Sequence, residues 1–128
     1  MTDYSSLIDN RKQTKNEQLE KRMLVFAADV IRTLNKTVQV PSSVANQLTR
    51  SSASIGANYA EACNASSKLD FRNKIFIAKK EAAESRYWID LCIELSGPES
   101  WQVSRNEVQE LLLILQTIIN SLRKSSEK

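Results

Sequence analysis

The sequence predicts an all-α protein, an antiparallel up-down-up-down four-helix bundle, on three observations. Only 2 Gly and 2 Pro occur in 128 residues, which leaves few places for the chain to turn. The composition is rich in Ala, Leu, Glu, Lys, Gln and Arg, the residues that lose least on entering a helix. Apolar residues recur at helical spacing through four segments separated by short breaks. A chain of this length holds one core, and helices joined by short connections pack as antiparallel neighbours.

Residues 1 to 16 are polar and lack apolar periodicity, so a flexible N-terminal arm is expected there. The bundle is expected over residues 17 to 123. Its first helix runs from about Glu17 to Thr37, with Leu19, Met23, Phe26, Val30 and Leu34 on one stripe. Gln39, Val40 and Pro41 interrupt it. Ser42 or Ser43 is placed to cap the second helix, which continues to about Ala65. Ser67 followed by Asp70 resembles a capping box, with Asp in place of the usual Glu, and opens the third helix. Gly97, free to take a left-handed conformation after the last turn, and Pro98, which cannot continue a helix, end it. Ser104 with Glu107 forms a second box and opens the fourth helix. That helix reaches about Leu122, and residues 124 to 128 form a polar tail.

The stretch LTRSSASIGANYAEACN, residues 48 to 64, is built almost wholly of small side chains around one glycine. Phosphate-cradling loops need several glycines at fixed spacing, such as GxGxxG or GxxxxGKS, so it is read as a helix pressed against a neighbour. Ser52, Gly56 and Ala60 recur every four residues on one face, and Leu48, Ile55 and Tyr59 supply apolar area beside them. A glycine inside a helix costs about 1 kcal/mol relative to alanine, which close packing offsets.

The third helix carries two seams. At about 100° per residue, Phe71, Ile75, Ala78, Ala82, Ile89 and Cys92 share one stripe, and Ile77, Glu81, Glu84, Trp88, Leu91 and Leu95 share a second about 110° away. A small bundle needs one apolar stripe per helix, so the second predicts a further packed surface. Ile77, Trp88, Leu91 and Leu95 are therefore the candidate interface between copies. In the fourth helix the run Leu111 to Leu115 covers the circumference, which points the same way. Unpaired carboxylates among apolar neighbours are expensive, so Glu81 and Glu84 call for a counter-charge from Arg50 or Lys80, with Asn58 and Glu61 as further members of a polar network. The alternative is that both glutamates are simply solvated.

Several chemistries are excluded or disfavoured. With no histidine, a di-iron bundle site lacks its Glu-x-x-His ligands, nucleophilic catalysis lacks its usual base, and no metal or cofactor is expected. Lys80, Glu81 and Glu84 form the one suggestive acid-base group, which an ion-pair network explains without a reaction. Cys63 and Cys92 make no disulfide framework and are expected to be small core residues. No segment approaches the roughly 20 apolar residues of a membrane span, and the N-terminus lacks the apolar region of a signal peptide, so a cytoplasmic protein without membrane contact is expected.

The net charge of +3, with pI near 8.9, is mildly basic. Arg72, Lys79 and Arg86 fall seven residues apart, about 160° from the second seam and so on an outward face. In a single copy this is an ordinary solvated stripe. Repeated around an oligomer, with Lys21, Arg22, Arg32 and Lys36 of the first helix, it could track the phosphates of RNA or DNA without reading sequence.

The run QLTRSSASIGANYAEA, followed by DFRNKIFIAKKEAAESRYWIDL, resembles the bacterial four helix bundle proteins first met as open reading frames in intervening sequences of 23S ribosomal RNA genes. Arg50, Ser54, Ile55, Asn58, Ala60 and Glu61 carry the resemblance in the second helix. Phe71, Lys74, Ala78, Lys80, Glu81, Ala82, Glu84, Tyr87 and Trp88 carry it in the third. Lys79 stands where the pattern often has Leu, and Ala62 where it often has Gly. The resemblance implies a non-enzymatic bundle that assembles as a ring-like homopentamer. A related branch, the accessory variability determinant of diversity-generating retroelements, is a basic pentameric barrel that binds a reverse transcriptase and nucleic acid, although none of these residues assigns the chain to that branch. The expected function is a homo-oligomeric scaffold with weak nucleic-acid binding. A protein-protein adaptor without nucleic-acid binding is the alternative.

Overall fold

In the computed structural model, which describes residues 13–126, four helices follow one another: α1 (Lys15–Lys36), α2 (Ser42–Cys63), α3 (Lys68–Ser96) and α4 (Gln102–Ser126). No strand occurs among the described residues, and no described helix is long and apolar enough to cross a membrane. Contacts between side chains establish the antiparallel order. Tyr59 near the end of α2 donates its hydroxyl to Asn16 Oδ1 at the start of α1, at 3.1 Å. Arg50 reaches Glu81 and Glu84, whereas Glu61, further along α2, pairs with Lys74, earlier in α3. Asp90 of α3 meets Arg105, and Phe76 meets Arg123 at the other end of α4. Each helix thus packs on its sequence neighbours, with α2 and α3 in widest contact. The α1/α4 seam closes the bundle most loosely and leaves a groove of about 330 Å³.

The core is the set of stripes that periodicity predicts. Met23, Phe26 and Val30, then Leu48, Ile55 and Tyr59, then Ile75, Ala78, Ala82, Ile89 and Cys92, are buried, and α4 adds Val108, Leu111, Leu115 and Ile119. Each fully buried Leu, Ile or Phe stabilises by about 1.5–3 kcal/mol. Three serines also lie wholly inside, Ser51, Ser52 and Ser85; the Ser85 hydroxyl donates to Ser51 Oγ at 2.9 Å and the Ser52 hydroxyl to the Thr49 carbonyl at 3.2 Å, so none is left unsatisfied. Gly56 has the close-packing role its position predicts: a Cβ there would lie 3.3 Å from Cβ of Met23 in α1.

Helix ends depart from expectation where a local signal is overridden. Thr14 Oγ1 accepts the Glu17 amide at 3.1 Å, so α1 starts at Lys15, inside the expected arm, whose residues 1–12 lie outside the described residues. Neither Ser42 nor Ser43 caps α2; Pro41 occupies the cap position with φ already near the helical value, and its carbonyl accepts the Ala45 amide at 3.0 Å. That helix closes at Cys63, two residues before the expected Ala65. The Ser67 box forms as predicted, Oγ accepting the Asp70 amide at 3.0 Å. Ser104 does not cap α4. The Pro98 carbonyl accepts the amides of Trp101 and Gln102, which starts the helix earlier, leaves Ser104 buried within it and drives Trp101 fully into the core. The same helix continues past Leu122 to Ser126, so the part of the expected polar tail up to residue 126 is helical.

Gly97 ends α3 with φ 89° and ψ 165°, beyond the left-handed helical well and in a region that residues with a Cβ rarely enter. Ala at this position meets only the flexible Glu99 carboxylate, so backbone strain dominates. Gly97→Ala should lower the unfolding free energy by about 1–3 kcal/mol in a urea titration followed by circular dichroism.

The two cysteines separate. Cys92 is buried as expected, but Cys63, in the last turn of α2, is exposed. A thiol reagent should therefore label one cysteine in the native protein and both after unfolding. Burial pushes the Cys92 thiol up to about 11 from an ordinary value of 9.0. Below pH 9 the thiol is protonated in both folded and unfolded chains. Between about pH 9 and 11 only the unfolded chain ionises it, so stability should fall as pH rises through that window, and Cys92→Ala should reduce the slope.

Candidate functional site

Arg50 is where the outer faces of α2 and α3 meet. Its Nη1 donates to Glu81 Oε2 at 3.1 Å, its Nη2 to Glu84 Oε2, and its Nε to Gln47 Oε1 at 3.4 Å. The Trp88 indole N–H also donates to Glu84 Oε2, at 3.3 Å. Residues 81, 84 and 88 share one face of α3 because they are spaced by three and four. The Glu81 side chain is only 12% exposed, which is why it needs a cation beside it. Arg50 is that cation.

The other expected members lie elsewhere. Lys80 is exposed and makes no ion pair among the described residues, since one residue along a helix turns it about 100° away from Glu81. The Asn58 amide donates to the Ser54 carbonyl in its own helix at 2.8 Å. Glu61 pairs with Lys74 at 2.6 Å, and that hydrogen bond raises the affinity of the Lys74 ammonium for its proton. The antiparallel packing explains this division: three turns beyond Arg50, α2 faces an earlier part of α3. The acid-base trio of Lys80, Glu81 and Glu84 is not brought together.

Beyond the Arg50 cluster, the second seam of α3 faces outward. Ile77 and Leu95 are exposed, while Trp88 and Leu91 are half-buried. Tyr87, 63% exposed, meets the Trp88 ring edge-on with centroids 5.2 Å apart. In the run on α4, Leu111, Leu112 and Leu115 are buried but Leu113 is exposed. A separate groove of about 740 Å³ lies between α1 and α2, floored by Ala53, Gly56, Ala57 and Ala60 and walled by Leu24, with Glu20 and Lys21 at its rim.

The seven basic candidates divide by their partners. Arg22 is held in a two-bonded pair with Glu107, Nε and Nη2 each at 2.8 Å, and Nη2 also reaches Glu110. The Glu107 hydrogen bond, more than any other influence, tightens the guanidinium's hold on its proton. Arg32 pairs with Asp29 at 3.0 Å. Arg86 does not face outward: it is half-buried against α4, donating from Nη1 to Gln109 Oε1 at 2.9 Å. Its stripe lies about 160° from the second seam but only about 80° from the core seam, and so borders α4. Lys79, also half-buried, and Arg72, exposed beside Phe76, lie on the same α3/α4 edge. Lys21 and Lys36 remain exposed on α1, at the α1/α2 side and the helix end respectively, not alongside the α3 cations.

Residues 15–124, which contain the Arg50 cluster, both seams and the α3/α4 edge, match the family described as 23S rRNA-intervening sequence protein. The chain belongs to that family. It is also similar to a protein of unknown function from the S23 ribosomal protein family of Bacteroides thetaiotaomicron VPI-5482, known from a crystal structure. The two are 35% identical with a TM-score of 0.71, over 79% of this chain and 97% of that one. Comparison with curated proteins gives no match.

For this member of the 23S rRNA-intervening sequence protein family, sequence reasoning misses three contributors. Gln47 precedes Arg50 by three residues, a spacing that places both on one face. Ser85 falls on the core seam and is readable from its position between Ala82 and Ile89. Arg123 falls at the expected end of the bundle, and only the full length of α4 shows that it returns to Phe76 of α3.

Removing Arg50 strands Glu81, so Arg50→Ala should destabilise the protein by about 1–3 kcal/mol. Glu81→Gln with Glu84→Gln should also destabilise it, and the combined variant should lose less than the sum. A double-mutant cycle on urea unfolding should return a coupling of about 1 kcal/mol.

Proposed function

We propose that this protein is a non-enzymatic, homo-oligomeric helical scaffold that binds RNA or DNA weakly and with little regard to sequence. The observation that carries the nucleic-acid reading is the α3/α4 edge, where Arg72, Lys79, Arg86 and Arg123 lie without a carboxylate partner among the described residues. The one ion pair described along it, Arg105 with Asp90 at 2.6 Å, involves none of those four, of which Arg86 is half-buried and donates to Gln109. Side chains of this kind attract phosphates through charge, and no array of base-reading groups accompanies them.

Self-association is supported by two dissimilar surfaces. The outward seam of α3 presents large side chains, Tyr87, Trp88 and Leu91, whereas the α1/α2 groove is floored by small ones. A contact between two different patches repeats head to tail and forms a ring where its rotation closes, and five copies is the number the family resemblance implies. A cytoplasmic setting is part of this reading, and the free thiols Cys63 and Cys92 fit it. The second reading, an adaptor for another polypeptide, is favoured by the exposed Tyr87 and its Trp88 neighbour, residue types that dominate protein interfaces.

Light scattering should report a multiple of the 14.5 kDa subunit mass, and Tyr87→Glu with Leu91→Glu should return it to one subunit with helicity retained. A native protein that is already a single subunit at micromolar concentration removes the assembly. A gel-shift titration should show binding at low salt that weakens steeply as salt rises. Absence of binding at low salt removes the nucleic-acid half and leaves the adaptor.

A further inference from the structure

Of the seven arginines among the described residues, five have defined hydrogen-bond partners. Arg22, Arg32, Arg50 and Arg105 pair with carboxylates, and Arg86 donates to Gln109. The remaining two, Arg72 and Arg123, have no hydrogen bond or ion pair among the described residues, and both converge on the same side chain. Their guanidinium carbons lie 5.6 and 5.9 Å from the centre of the Phe76 ring, one approaching from α3 and the other from the end of α4. Two like charges drawn from different helices to one ring repel each other. Each is held at the ring through cation-π attraction, and the five N–H donors of each guanidinium remain unused by the described residues.

We propose that Arg72 and Arg123, gathered on Phe76, form an anchoring clamp for a backbone phosphate of a polynucleotide. This deepens the nucleic-acid reading above and rests on it. The chemistry selects the ligand. A guanidinium offers parallel N–H groups that match the oxygens of a phosphate, and two such forks surround an anion that neither could hold as well alone. A carboxylate on another protein would satisfy one fork and leave the second cation uncompensated, whereas a phosphodiester chain brings a further charge at every step. Lys79 and Arg86 continue along the same edge of α3, about one and two heptads beyond Arg72, and give that chain a path away from the clamp. Arg72 to Arg86 spans roughly 21 Å of helix. Phe76 acts as a positioning residue: it touches no phosphate and fixes where the two guanidiniums sit.

Fluorescence anisotropy on the full-length protein tests this, with a labelled single-stranded oligouridine and a labelled DNA duplex as probes. Arg72→Ala with Arg123→Ala should weaken binding by about tenfold or more and lower the steepness of the logarithmic salt dependence by roughly 0.7 on the single strand or 0.9 on the duplex, one phosphate contact in either case. The probe with the larger loss identifies the partner. Arg72→Lys with Arg123→Lys keeps the charge without the fork and should retain most of the salt dependence while losing affinity. Phe76→Leu should weaken binding with all cations in place, and Lys21→Ala with Lys36→Ala, away from the edge, should have a smaller effect than the arginine pair. Both arginines are exposed, so the alanine variant should melt like the parent. A natively folded double-alanine variant with parental affinity and salt dependence overturns the clamp and leaves weak nucleic-acid binding standing. A parent protein that binds neither probe at low salt overturns the nucleic-acid reading and the clamp with it.

Discussion

Close approach of α2 to α3 is the constraint on which the molecule depends. Ser51, Ser85, Ala78 and Ala82 are wholly buried, and only small side chains let the two backbones come together there. At that separation Arg50 spans from one helix to two carboxylates on the other, so the ion pairs are a consequence of the packing as well as a support for it. Were the interface filled with leucine, α3 would move outward, Glu81 would lose its shelter, and the second seam would no longer stand beside Arg50. The Ser85 to Ser51 hydrogen bond adds register to this: a hydroxyl pair in a core is tolerated only where both partners meet.

Much of this is legible in the sequence, because it is written locally. Apolar residues spaced by three and four reveal the stripes of α1, α2 and α3 and both seams of α3 without any knowledge of neighbours. Arg50 can be paired with Glu81 and Glu84 for a similar reason: a half-buried carboxylate states its need. What stays hidden depends on contacts across long separations. Arg22 looks like a free surface cation because Glu107 is 85 residues away. Ser104 and Glu107 look like a capping box because their spacing is right, but Pro98 supplies the carbonyl that starts α4, and Glu107 serves Arg22 instead. The α3 cations fall on an outward face only when their angle is measured from the second seam alone. Measured from the core seam, they border α4, as the Arg86 hydrogen bond to Gln109 shows. Residue type misplaces Cys63, since small apolar residues favour the core but the last turn of a helix need not face it.

The mild net charge acquires meaning only through placement. Asp29, Glu61, Glu81, Glu84, Asp90, Glu107 and Glu110 all pair with cations of the same chain. Acids that hold the bundle together cannot also screen a distant edge beyond a Debye length, about 8–10 Å at ordinary salt. The cations Arg72, Lys79 and Arg123, without carboxylate partners among the described residues, concentrate positive charge along one edge, a placement the +3 total does not convey.

Assembly and nucleic-acid binding are coupled in the proposed scaffold through multiplicity rather than through any shape change. One α3/α4 edge offers a handful of phosphate contacts, enough for weak and salt-sensitive attachment. Copies arranged in a ring present the same edge repeatedly, and a strand that engages one finds the next at high effective concentration, a gain of about a hundredfold or more where the geometry allows both to be held at once. The proposed assembly surface lies at the outer face of α3 beside α2, and the basic edge lies on the opposite flank beside α4. Under that proposal a single helix would commit one side to sister copies and the other to the polyanion, and a copy removed from the ring would keep its cations but lose the neighbours that make them effective.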